Sequence, residues 1–222
     1  MHEHTMSMSR LPLRPRIRLL CAALAAGGLL AGCSSTDDPD AQMDAGDLQA
    51  DPLARIATGV VTGTDIYVAT LYEDDRAMAY FCGGPTTIAT HTRWFSGMPA
   101  QEGAFDLTHD GWRVEFDASA DGATGTLSDP DGEQYTFTTE STEDLSTGGL
   151  YMAQLDGCRV GVVVLDDSGL SAIQGSHVCE GAEASAVQVI ILSPALSDDG
   201  GLEVSVMLPD ATQATSLTVL PI

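Results

Sequence analysis

The sequence predicts an all-β protein whose folded part is an antiparallel meander, closed as a barrel or folded as a sandwich. Asp-Gly pairs recur along it, and such pairs between alternating segments indicate hairpins because tight hairpin turns require positive φ. No segment after residue 32 combines a 3.6-residue apolar period with helix caps. The five pairs begin at Asp110, Asp121, Asp131, Asp156 and Asp199.

Segments of strand length lie between these turns, about a dozen in all. In "WRVEFD", Trp112, Val114 and Phe116 face one way and the polar side chains face the other. "CRVGVVVL", "VQVIIL" and "LEVSVML" are β-branched runs typical of strands. Polar, loop-like segments at residues 139–149 and 177–186 are weaker breaks in this pattern. We predict one domain over residues 52–222, and the pattern leaves barrel and sandwich open.

The first 32 residues have the features of a secretory signal peptide. Four arginines precede a twelve-residue apolar run at residues 19–30. A membrane-spanning helix needs roughly 20 apolar residues, so this run is too short to span a bilayer. It fits the apolar region of a signal peptide, and we predict that residues 1–32 are removed. The arginines are Arg10, Arg14, Arg16 and Arg18.

The end of this segment resembles the lipobox of bacterial lipoproteins. Leu30, Ala31 and Gly32 precede Cys33, and the small residues let a peptidase bind the extended backbone. The resemblance implies that the Cys33 thiol receives a diacylglyceryl group and that the leader is cut just before it. An ordinary signal peptide with a chance cysteine is the alternative. Ser34 resembles the outer-membrane pattern of lipoproteins in bacteria with two membranes.

The segment after Cys33 is typical of a disordered tether. Residues 34–51 contain six aspartates, one proline and no aromatic residue, a composition that buries too little apolar surface to fold. A flexible chain of this length reaches roughly 20–25 Å. The predicted organisation is a signal peptide at 1–32, a lipidated cysteine with its acidic tether at 33–51, and a β ectodomain at 52–222.

The chain is strongly acidic, with a formal charge of −23 at pH 7. Without residues 1–32 the charge becomes −26, because five arginines remain against 31 acidic residues. Phosphate backbones repel such a charge, which excludes nucleic acid as a partner. Anionic head groups repel it too, so we expect the lipid alone to provide the membrane contact. A protein or a glycan is the remaining class of partner.

The ectodomain carries a second resemblance. The order "AYFCGG", "WFSG", "FDLTHDG", "ATGTL", "DGEQYTF", "GLYMA" is similar to an uncharacterised β module of bacterial secreted and lipid-anchored proteins. The resemblance covers roughly residues 59–165. It implies the β fold and implies no activity.

Three cysteines fall in the ectodomain, and an oxidising compartment favours pairing between them. A turn at "DDSG", residues 166–169, brings Cys158 opposite residue 177, within reach of Cys179. That bridge closes a loop of about 22 residues and stabilises the fold by roughly 3 kcal/mol. Cys82 is then a buried free thiol. Pairing of Cys82 with either of the other two is the alternative.

His177 and Cys179 are two residues apart and share one face of a predicted strand, near Cys158. Two sulfurs and an imidazole nitrogen are ligands that zinc or copper accepts. Oxidation competes for the same sulfurs, however. We therefore predict a disulfide here, with no bound metal and no cofactor.

Motifs for catalysis are absent from the sequence, which has no Gly-x-Ser-x-Gly, no His-Glu-x-x-His and no phosphate-binding glycine loop. His91 and His109 are candidate bases, but the carboxylates cluster in turns. The run Arg93-Trp94-Phe95 fits an aromatic surface that binds a glycan. Such runs are more often strand residues whose aromatic side chains are buried in the core.

We therefore expect a non-enzymatic, lipid-anchored envelope protein with a binding or structural role. The alternatives are a lipocalin-like or avidin-like barrel that holds a small apolar ligand, and a hydrolase without a recognisable motif. An apolar cavity inside a closed barrel favours the first alternative. Two carboxylates facing each other across a cleft, roughly 5–10 Å apart, favour the second.

Overall fold

The computed structural model describes residues 55–73, 75–101, 103–142, 148–165, 172–179, 186–197, 201–208 and 213–221. Within these ranges the chain forms fifteen strands and one short helix, and every strand pairing is antiparallel. The predicted all-β antiparallel fold is confirmed. The predicted signal peptide, lipobox and tether lie outside the described residues, as do the turn at 166–169 and the Asp199-Gly200 pair.

The first sheet contains nine strands in the order β4-β3-β2-β1-β9-β8-β7-β6-β5. Two meanders, β1–β4 and β5–β9, join where β1 pairs with β9. Its elements are β1 Arg55–Val61, β2 Tyr67–Tyr72, β3 Ala77–Cys82, α1 Ile88–His91, β4 Arg93–Gly97, β5 Pro99–Gln101, β6 Ala104–His109, β7 Trp112–Ser119, β8 Gly122–Ser128 and β9 Gln134–Ser141.

This sheet curls until it is nearly closed. Phe95 on β4 approaches His109 on β6, with the two ring centroids 6.5 Å apart. Aromatic rings fill the concave side: Phe81 meets the edges of Phe95 and Phe137 at 5.7 and 5.4 Å. The alternation predicted for β7 is present, because its apolar residues are buried and its charged residues are exposed.

The Asp-Gly pairs make the turns that the sequence predicts at the two sites where both residues adopt positive φ. These are Asp110-Gly111, between β6 and β7, and Asp156-Gly157, between β10 and β11. Each pair is the whole connection between its two strands, so both turns are tight two-residue hairpins. Aspartate suits the first position because it adopts this left-handed backbone more readily than most residues.

The second sheet is a closed barrel of six strands in sequence order. It closes where β15 pairs with β10. Valines dominate its interior, and barrels with fewer than about eight strands have room inside only for side chains. The strands are β10 Gly149–Leu155, β11 Cys158–Val164, β12 Ile173–Val178, β13 Ala186–Leu196, β14 Leu202–Met207 and β15 Thr215–Pro221.

The two sheets pack on each other through a third apolar cluster, which we call the seam. Polar groups bridge it: the Tyr80 hydroxyl lies 2.5 Å from the Ser176 hydroxyl and donates to the Gly161 carbonyl at 3.3 Å. The Gln174 amide donates to the Cys82 carbonyl. The buried members of the seam are Ala69, Leu71, Met78, Tyr80, Cys82, Leu150 and Val163.

The prediction of a single barrel or sandwich in one domain is therefore only partly correct. The chain builds two barrel-like sheets, each around its own apolar cluster. The change from one sheet to the next falls between Ser141 and Gly149, inside the weaker break at residues 139–149. A local strand pattern shows where strands begin and end, but it does not show which strands share a core.

Among the described residues, no helix combines the length and the apolar character that crossing a membrane requires.

Candidate functional site

The β11–β12 hairpin brings Cys158 and Cys179 together. Arg159 pairs with Val178 and Val160 with His177, so the same register places Cys158 across from Cys179. The two cysteines form the predicted disulfide. The sequence predicts Cys158 opposite residue 177, so the predicted register of this hairpin is wrong by two residues. The ladder ends at Val164 and Ile173, so the connection is longer than a four-residue turn.

His177 lies beside this disulfide with its side chain buried. Its Nε2 is 3.3 Å from the Leu155 carbonyl oxygen, and its Nδ1 is 3.9 Å from Cys179 Sγ. A carbonyl oxygen only accepts hydrogen bonds, so in the neutral imidazole Nε2 carries the proton and Nδ1 presents a lone pair to the sulfur. The neighbouring turn therefore orients the imidazole.

The ligand atoms of Cys158, His177 and Cys179 all lie within 4.8 Å of one another. In the part of the chain that the structure describes, this is the one group of three or more metal-binding side chains. The disulfide occupies both sulfurs, so the oxidised site offers a metal only the imidazole nitrogen. The sequence placed these residues together correctly, because a strand puts residues i and i+2 on one face.

Cys82 is the free thiol that the sequence predicts, and it is fully buried in the seam. Burial raises the pKa of its thiol to about 12. Because the thiolate is the reactive form of cysteine, a thiol in this environment is inert at neutral pH. Burial also raises the pKa of the neighbouring Tyr80 hydroxyl well above its usual value. Both groups therefore stay uncharged and contribute to packing.

The run Arg93-Trp94-Phe95 does not form one platform, because its side chains go to three places. Phe95 is buried in the core of the first sheet. Trp94 stacks on Tyr80 in the seam, with ring centroids 3.9 Å apart. Arg93 lies over the ring of Trp112, with its guanidinium carbon 5.2 Å from the ring centroid. Strand geometry separates the first two, since successive side chains point to opposite faces.

The two candidate bases lie in different settings. His91 packs against Trp112 and Tyr135, each with a ring-centroid distance of 5.2 Å. Burial, and then the charge of Arg93, lower the pKa of His91. Its Nδ1 is 2.8 Å from the hydroxyl of the adjacent Thr90.

His109 lies at the end of β6, where its Nε2 is 3.4 Å from a carboxylate oxygen of Asp110. The carboxylate belongs to the adjacent turn residue and is exposed. Among the described residues, therefore, neither histidine contacts a nucleophile that belongs to another strand or helix.

Three carboxylates of the first sheet are bound to arginines. Arg113 pairs with Asp106 and Glu115 at 2.7 and 2.8 Å, and all three side chains are exposed. The hydrogen bond from Arg113 lowers the pKa of Asp106. Glu73 pairs with Arg76 at 2.7 Å. A carboxyl whose pKa is lowered stays ionised, so Asp106 does not supply the general acid that a glycosidase pair needs.

Comparisons with protein-family models, with curated proteins and with solved structures find no match to this chain. The resemblances to the lipobox and to an uncharacterised β module therefore stay predictions.

Proposed function

We propose that this protein is a lipid-anchored bacterial envelope protein whose β ectodomain binds or scaffolds and does not catalyse. The observation that carries the proposal is the sequence Leu30-Ala31-Gly32-Cys33, which follows a basic and then an apolar segment and precedes an acidic one. Cys33 lies 22 positions before Arg55, where the described β structure begins. A chain of that length separates the two by about 25 Å when flexible.

The packed interiors of both sheets favour this proposal over a ligand-holding barrel. Core side chains occupy the concave side of the first sheet, with Phe81 and Phe95 almost fully buried. Six strands leave the second barrel too narrow for anything but its own side chains. A small apolar ligand needs a lined cavity, whereas side chains of the described residues pack against one another inside each sheet.

The settings of the histidines and carboxylates favour a non-enzymatic role over a hydrolase. His91 contacts two rings, and its hydroxyl partner is its own neighbour in the chain. Asp106 and Glu115 share one arginine on an exposed surface. A hydrolytic site instead requires a nucleophile or a water held by two groups of different pKa.

The strands form a firm platform from which loops reach a partner, and such loops commonly carry recognition. With a charge of −26 after removal of residues 1–32, the partner is a protein or a glycan and not a nucleic acid. Ser34 favours the outer membrane if the cell has two membranes.

The test is Cys33→Ser in the full-length chain, followed by membrane fractionation. We expect the wild type in the membrane fraction with lipid on Cys33, detected by mass spectrometry of the amino-terminal peptide. The variant is expected to lose the lipid and leave the membrane. Cys21→Ser is the matched control, because Cys21 lies in the apolar run outside the lipobox; it should remain anchored. A Cys33→Ser protein that stays anchored, with no lipid on the wild type, contradicts the proposal.

A further inference from the structure

Three side chains that bind soft metal ions converge where the β11–β12 hairpin begins and ends. The sulfurs of Cys158 and Cys179 and a nitrogen of His177 lie within 4.8 Å of one another. The proposed anchoring and binding role uses none of them. The disulfide holds the sulfurs in the oxidised protein, and thiol–disulfide exchange frees them.

The histidine is already oriented as a ligand. Its Nε2–H donates to the Leu155 carbonyl at 3.3 Å, which leaves the Nδ1 lone pair 3.9 Å from Cys179 Sγ. Metal-binding histidines usually donate their other ring N–H to a carbonyl or carboxylate in this way. In a tetrahedral zinc site, a thiolate sulfur and an imidazole nitrogen lie roughly 3.5 Å apart. His177 and Cys179 are close to that spacing before any metal binds.

The sulfurs are accessible, while the histidine is not. Cys158 and Cys179 are both partly exposed, and His177 is buried beneath them. A reductant and an ion can therefore reach the sulfurs from solvent. The strongly negative chain also raises the local concentration of cations.

We propose that the reduced protein binds one zinc ion through Cys158, His177 and Cys179, with the fourth position open to solvent, and that the disulfide closes this site. Two thiolates and one imidazole suit zinc and leave room for water, as in catalytic zinc sites. The two thiolates balance the charge of the ion. This hairpin is then a redox-controlled metal site, and the oxidised protein is metal-free.

The redox step is a thiol–disulfide exchange with a dithiol. One thiolate of the dithiol attacks one sulfur, the S–S bond breaks, and the second dithiol sulfur completes the exchange. Two electrons and two protons pass to the protein, which ends with two thiols, and the dithiol ends as a disulfide. Zinc then displaces both thiol protons to solvent, while His177 keeps its proton on Nε2.

The experiment uses the full-length protein in detergent, without oxygen. It is reduced with a dithiol, freed of the reductant by gel filtration and titrated with Co²⁺, which reports thiolate ligation by a charge-transfer band. We expect one cobalt per chain in the reduced protein and none in the oxidised protein. Zn²⁺ should displace the cobalt and abolish the band.

His177→Gln tests the site while it leaves both cysteines in place. We expect cobalt binding to weaken by at least about tenfold, since losing a group that merely orients a ligand already costs that much. His109→Gln and Cys82→Ala are the controls and should bind as the wild type does. Re-formation of the Cys158–Cys179 disulfide in His177→Gln, with an unchanged near-ultraviolet circular dichroism spectrum, shows that the variant is folded.

Three results would overturn the proposal. The first is reduced, folded protein that binds no cobalt. The second is cobalt binding of equal strength in His177→Gln. The third is reduced protein that loses its near-ultraviolet spectrum and does not recover it with zinc, because the site requires the folded hairpin.

Discussion

The hydroxyl groups of Tyr80 and Ser176 lie 2.5 Å apart, in side chains that are fully buried and that belong to different sheets. Tyr80 is on β3 of the first sheet, and Ser176 is on β12 of the second barrel. A hydrogen bond between buried hydroxyls is costly to break on one side only, because the remaining group cannot reach water. This pair therefore fixes how the two sheets meet.

Removing one of these hydroxyls should destabilise the protein. Tyr80→Phe leaves Ser176 Oγ without its partner in the seam, and we expect the free energy of unfolding to fall by about 1–3 kcal/mol. Urea unfolding measures the change. Tyr67→Phe is the control, since its ring is only partly buried at the same cluster, and should stay within about 0.5 kcal/mol of the wild type.

The double variant Tyr80→Phe/Ser176→Ala should recover part of that loss, because it leaves no buried hydroxyl unsatisfied. Purely additive effects of the two substitutions would contradict the role given to this hydrogen bond.

The cysteines should show one disulfide and one protected thiol. Peptide mapping of the non-reduced protein is expected to find Cys158 and Cys179 in one cross-linked pair. Cys82 should be alkylated only after unfolding, because it is buried. Cys158→Ala/Cys179→Ala should lower the stability by about 3 kcal/mol in the chain-entropy model. A disulfide that includes Cys82 would contradict this assignment.

Cys82 should make stability fall at alkaline pH. Burial raises the pKa of its thiol from 9.0 to about 12 in the folded protein. As the pH rises, the unfolded chain releases this proton before the folded protein does. The stability that the protonated Cys82 thiol contributes is therefore complete below about pH 9 and is lost as the pH rises towards 12. At its steepest, the free energy of unfolding falls by about 1.4 kcal/mol per pH unit.

The contribution is isolated by comparing proteins with and without Cys82→Ala in a Cys158→Ser/Cys179→Ser background, which prevents disulfide exchange. The difference between the two unfolding free energies should be constant to about pH 9 and then decline. A difference that does not change with pH would show that Cys82 ionises freely in the folded state.

Catalytic activity is not expected. Purified protein should give no turnover with broad glycosidase, esterase and peptidase substrates, since the contacts described above join neither His91 nor His109 to a nucleophile from another element. Assays of the wild type beside His91→Gln and His109→Gln check this. Turnover that either substitution abolishes would favour the hydrolase alternative.

Local features of both sheets could be predicted from sequence, because they depend on neighbouring residues alone. Alternation gave the buried face of β7, and Asp-Gly gave the turns at residues 110–111 and 156–157. The hairpin brought the correct two cysteines together, although its register was off by two residues. The length of the connection between β11 and β12 decides that register, and no short motif encodes it.

The seam could not be predicted, because its partners are distant in sequence. Its signal is strand β3, "AMAYFC", which is buried along its whole length and not on alternate residues; the neighbouring β2 is likewise buried at five of its six residues. A strand without alternation has both faces covered. That pattern indicates that something covers the outer face of the first sheet, but it does not identify the second barrel. The hydroxyl of Ser176 gives no signal at all, since isolated serines are common on strands.

The pairing of β1 with β9 has a consequence for the order of events during folding. Ala57 pairs with Ser141, so one edge of β1 has no neighbour until a segment about 80 residues further along the chain docks on it. Until then, the folding chain presents an open strand edge to other chains. The early hairpins form quickly, but closure between distant segments is slow. Folding of the first sheet is thus a waiting process, in which the risk of aggregation is greatest before β9 pairs with β1.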